Sequence, residues 1–84
     1  MVIPTNPVSL TPKQIEELNR KLSAMRHDVN NHLSLVVAAL ELIRHKPEVR
    51  ERMLATLILQ PPKIIAEVNK FSADFEKAFG IIRN

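Results

Sequence analysis

The sequence predicts an all-α protein: two long helices folded into an antiparallel hairpin, which pairs with a second copy to make a four-helix bundle. Three observations carry this. Among the 84 residues there is one Gly, three Phe and no Tyr or Trp, within an apolar share of 45%. That composition suits helices and lacks the turn residues that a multi-stranded sheet needs. Two apolar seams with alternating three- and four-residue spacing run through the chain. A short connection, Arg44-His45-Lys46-Pro47, separates them.

Residues 1–10 contain Pro4 and Pro7 and show no helical period, so they are expected to form an extended N-terminal arm. Residues 11–84 form the hairpin. Thr11 can cap the first helix, Pro12 suits its first position, and Gln14 completes a capping box. The first seam then runs through Ile15, Leu18, Leu22, Met25, Val29, His32, Val36, Ala39 and Ile43. Leu33, Leu35, Val37, Leu40 and Leu42 widen the stripe beyond what a two-stranded contact uses. The helix is expected over about 12–44, roughly 50 Å long at ~1.5 Å per residue.

The turn is expected at about 45–47, because Pro47 disfavours helical geometry at Lys46 and opens the next helix well. So short a connection makes the two helices antiparallel neighbours. The second helix is expected over about 48–79, with a seam through Leu54, Leu57, Pro61, Ile64, Val68, Phe71, Phe75 and Ala78. Pro61 and Pro62 each remove a backbone donor, which predicts a kink; the seam keeps its phase across them, which favours one bent helix over two. Gly80 is an end signal, and Ile81 and Ile82 are expected to pack as a short tail.

A hairpin of two such helices leaves half of each apolar stripe wet. A homodimer of closed two-fold symmetry covers both, and the alternative is docking on a different protein. The formal charge is +3, but acidic and basic residues are interleaved, so a mixed solvated surface is expected and no nucleic-acid partner. The absence of cysteine excludes disulfides, zinc–thiolate sites and thiol catalysis. No apolar run approaches the ~20 residues of a membrane span, and the first residues lack the pattern of a signal peptide; a cytoplasmic location follows by default. His27 and His32 are five residues apart and His45 lies at the turn, so no pair has the spacing of a helical metal site, and no metal or cofactor is expected.

The informative segment is Met25-Arg26-His27-Asp28-Val29-Asn30-Asn31-His32-Leu33. With Val29 on the seam, His27 takes the outermost position of the helix. Asn31 lies one turn later on the same side and Ser23 one turn earlier. Asp28 stands beside His27, turned toward the flank of the bundle. A neutral imidazole is a nucleophile near physiological pH, and phosphoryl transfer to nitrogen needs an accessible ring with an in-line path for the donor. A neighbouring carboxylate can take the ring proton or fix the tautomer. An amide one turn on can orient water or hold the phosphoryl group.

The run His27-Asp28-Val29-Asn30-Asn31-His32-Leu33 resembles the phosphoacceptor motif of sensor histidine kinases, H-E/D-x-x-N/T-P-L. The resemblance extends over roughly residues 15–80, with its specific part in 25–43. It implies the dimerisation and histidine-phosphotransfer domain, itself a helical hairpin that dimerises into a four-helix bundle. By that resemblance His27 is the phosphoacceptor, Asp28 the acidic residue that abstracts a proton during phosphorylation, and Asn31 the residue linked to dephosphorylation by a partner. Leu33 matches the terminal Leu.

Two departures stand out. His32 replaces the motif's Pro, and its place on the seam makes it an expected buried, hydrogen-bonded residue rather than a second acceptor. Within the 84 residues there is no phosphate-cradling glycine-rich loop, so the chain by itself is not expected to act as a kinase. The expected function is that of a dimeric phosphotransfer module of two-component signalling, with a response regulator receiver domain or a separate histidine kinase as partner. The alternative is a non-catalytic dimerisation scaffold that binds the same partners.

Overall fold

The computed structural model describes residues 1–83; Asn84, the last residue of the expected hairpin, lies outside them. Two helices account for most of the chain. Helix α1 spans Pro12–His45 and helix α2 spans Arg50–Phe79, joined by Lys46 and a single 3-10 turn, Pro47–Val49. The helices pack against each other as an antiparallel pair, 59 Å in its longest dimension and 12 Å in its shortest.

Local chemistry sets each boundary. Thr11 is extended, with its side chain accepting from the Gln14 backbone N–H at 3.1 Å, while the Gln14 side chain accepts from the Thr11 N–H at 2.8 Å. Two otherwise orphaned donors are thereby satisfied at the start of α1. At the far end the Lys46 N–H closes the last turn onto the Leu42 carbonyl at 2.7 Å. The second helix begins later than the expected residue 48, because Pro47 opens the 3-10 turn before the α-helix proper.

Helix α2 continues through Pro61 and Pro62 without a break. It ends at Gly80, whose φ of +68° is the left-handed conformation that glycine adopts without penalty. There the Ile81 N–H reaches back to the Glu76 carbonyl at 2.8 Å. The arm does more than extend: Val2 and Ile82 exchange backbone hydrogen bonds of 2.6 and 2.9 Å, tying the two ends of the chain together across the open end of the hairpin.

The contact line of α1 follows its expected seam. Leu18, Leu22, Met25, Val29, His32, Val36 and Ile43 are partly buried and Ala39 is 2% exposed; only Ile15, at the open end, stands out in solvent. Helix α2 departs from expectation. Its buried line runs through Met53, Leu57, Gln60, Ile64, Glu67, Phe71, Asp74 and Ala78. Leu54, Pro61, Val68 and Phe75, expected on the seam, are turned onto its edge and exposed. The reason is polar: Gln60, 3% exposed, takes the position opposite His32 that an apolar reading gave to Pro61. Among the described residues Ala39 and Gln60 alone are buried. No described helix is long and apolar enough to cross a membrane.

Candidate functional site

The middle of α1 presents His27 on its outer ridge. Thirty-four consecutive helical residues hold this ridge straight out from the seam, and the 3.6-residue period puts His27 on the side opposite Val29 and His32. The His27 side chain is 74% exposed. Ser23, Asn30, Asn31 and Ser34 around it are exposed as well, so no bulky side chain stands over the ring.

The Asp28 carboxylate lies beside the imidazole, Oδ1 to Nδ1 3.4 Å. At that distance the contact is weak and electrostatic in character. A carboxylate oxygen only accepts, so the contact suits the tautomer with its proton on Nδ1, which leaves the Nε2 lone pair free. Asn31 is exposed one turn on, and among the described residues no hydrogen bond joins it to His27. The structure thus brings His27 and Asp28 together and leaves Asn31 as a free neighbour on the same side.

Upstream on that ridge, Arg20 is engaged by Glu17 through two hydrogen bonds, one of them Nε to Oε2 at 3.1 Å. The hydrogen bond from Arg20 holds the Glu17 carboxyl below its ordinary value and the guanidinium above its own. Downstream, Asp28, Leu35 and Leu42 are a heptad apart and share one row, with Asn31 on its outer edge; Leu35 and Leu42 are both exposed. An exposed imidazole, a carboxylate, an amide and a short apolar row therefore follow one another along a single side of α1.

His32 faces the other way. Its Nδ1 lies 2.9 Å from Gln60 Oε1, and Gln60 Nε2 donates to the Thr56 carbonyl at 3.0 Å. With the amide nitrogen committed to Thr56, Oε1 can only accept, so His32 donates from Nδ1. The ring is half-buried rather than fully buried as the seam implied. Gln60 is the residue that sequence reasoning missed; the spacing Met53, Leu57, Gln60, Ile64 would have found it had a polar member been allowed on the line.

His45, at the turn, pairs with Glu41 at 3.3 Å and is remote from both. Comparison of the chain with known protein families, curated proteins and solved structures found no match.

Proposed function

We propose that this chain is a dimeric histidine-phosphotransfer-like module of two-component signalling, with His27 as the phosphoacceptor. The observation that carries the reading is the exposed His27 ring with Asp28 against its Nδ1. In the forward step the Nε2 lone pair attacks phosphorus while the bond from phosphorus to the donor's leaving oxygen breaks. The ring becomes cationic as the N–P bond forms, and Asp28 takes or stabilises the Nδ1 proton. In the onward step a carboxylate of the partner attacks phosphorus, the N–P bond breaks, and the imidazole is neutral again. The chain supplies position, an open approach and a proton acceptor; the phosphoryl donor comes from a partner.

The partner proposed is a response regulator receiver domain or a separate histidine kinase. Leu35 and Leu42 support this: they offer an apolar contact one and two heptads beyond Asp28, where a domain seated over His27 would rest. The test is reverse transfer. A phosphorylated receiver domain mixed with the chain should lose its phosphate to His27, with the label disappearing in His27→Gln. Binding without any transfer would instead support the scaffold reading.

A further inference from the structure

The end of α2 is finished by two distant parts of the chain. The helix first closes on itself: the Gly80 and Ile81 N–H groups return to the Lys77 and Glu76 carbonyls at 3.4 and 2.8 Å. Beyond Gly80 the tail finds its backbone partner in the arm. Val2 donates to the Ile82 carbonyl at 2.6 Å, and Ile82 donates back to Val2 at 2.9 Å. Arg83 Nη2 lies 2.6 Å from Glu76 Oε1, which holds the tail to the same turn of α2. Met1 lines a cleft with Phe71, Ser72 and Phe75.

The grip of the arm is light. Met1, Val2 and Ile3 are 51–70% exposed, so their side chains bury little apolar surface. The bridge also stops after one pair. In an antiparallel register the next pair to exchange bonds sets Pro4 opposite Gly80, and Pro4 has no N–H to donate. Pro4 Cγ does approach Gly80, standing 3.5 Å from where a Cβ on that residue would lie. The base of the arm is fixed separately by the Thr11–Gln14 capping box, so the tip can leave without disturbing the start of α1. A segment held by few buried contacts and by hydrogen bonds close to solvent opens at lower free energy than the helices it rests on.

We infer that residues 1–4 are a strap that opens and closes on the end of α2 while both helices stay folded. Closed, it pins Ile82 and sets Met1 beside Phe71 and Phe75. Open, it frees the tail beyond Gly80 and leaves the Phe71–Phe75 strip more accessible. The arm is thereby a control on the far end of the chain: whatever engages or displaces residues 1–4 is felt at residues 81–83. This device does not rest on the reading of His27.

The chain has no cysteine, so Ser72→Cys places a single thiol in the half-buried cleft beside Met1, and Ala73→Cys, exposed and outside that cleft, gives a reference. Labelling with a disulfide reagent such as dithiobis-nitrobenzoate reads strap opening when opening and closing are fast relative to reaction. Val2→Pro removes the donor of the 2.6 Å bond. It should speed labelling of Ser72→Cys by at least about threefold, leave Ala73→Cys unchanged, and leave the helical circular dichroism unchanged. An unchanged Ser72→Cys rate overturns the strap. Faster labelling with loss of helix also overturns it, because the arm would then be part of the fold itself. In the parent chain the Ile82 amide should exchange at a rate that low urea leaves unaltered, as local opening requires. Exchange of Ile82 that accelerates with urea as steeply as that of the mid-helix amides would tie its release to global unfolding and overturn the inference.

Discussion

His32 Nδ1 lies 2.9 Å from Gln60 Oε1, and this hydrogen bond joins the middle of α1 to the middle of α2 between the apolar neighbours Val29, Val36, Leu57 and Ile64. Gln60 in turn donates to the Thr56 carbonyl, one turn back along its own helix. A short polar chain thus fixes the register of the hairpin where aliphatic side chains alone would permit sliding.

Breaking that pair on one side should be costly. Gln60→Ala strands the His32 donor in a half-buried position and leaves a void, so urea unfolding should show a loss of about 1–3 kcal/mol. His32→Leu combined with Gln60→Leu removes both polar partners and should recover much of that loss. A double variant whose loss equals the sum of the single losses would show that the two residues do not act as a pair.

The helices and their caps are legible in the sequence because periodicity and end chemistry are local: Thr11, Pro12, Gln14 and Gly80 signal their roles within a few residues. The face of α2 is not, because two apolar rows, one edge and one buried, alternate within the same helix. Choosing the most apolar row selects Leu54, Pro61, Val68 and Phe75, whereas the chain buries Gln60 to satisfy His32. His27 is legible as an outward residue since its phase follows from α1's seam alone, and Asp28 beside it follows from adjacency. The Val2–Ile82 pairing joins residues 80 positions apart and has no local signal at all.

Gly80 offers a test of the C-terminal cap. A Cβ there would meet Pro4 Cγ at 3.5 Å, ordinary contact, so the cost of Gly80→Ala lies in the backbone at φ +68° and not in a clash. The change should lower stability by about 1–2 kcal/mol in thermal or urea unfolding. An unchanged midpoint would mean that the helix end relaxes to another conformation.

His27→Gln should leave fold and stability within about 0.5 kcal/mol of the parent, because the side chain is 74% exposed and its polar contact is the weak one to Asp28 at 3.4 Å. Circular dichroism with urea unfolding checks this. A larger loss would mark His27 as structural.

Asp28 and Asn31 should separate kinetically. Asp28→Asn keeps the size of the side chain but removes the proton acceptor beside Nδ1, so arrival of the phosphoryl group should slow by about 100-fold, the low end of general acid–base effects. Asn31→Ala should change the removal of the phosphoryl group more than its arrival. Stopped-time labelling with a receiver domain resolves the two rates; equal effects of both substitutions on both steps would contradict the assigned roles.

The central claim is that His27 carries phosphate. Its most direct test is to incubate the chain with ATP and a panel of histidine kinases, or with phosphorylated receiver domains, and to locate acid-labile, alkali-stable phosphate by mass spectrometry under neutral conditions. One modified residue is expected, His27, and none in His27→Gln. Phosphate on His32 or His45 instead, or none under conditions where a known phosphotransfer protein is labelled by the same panel, would contradict it.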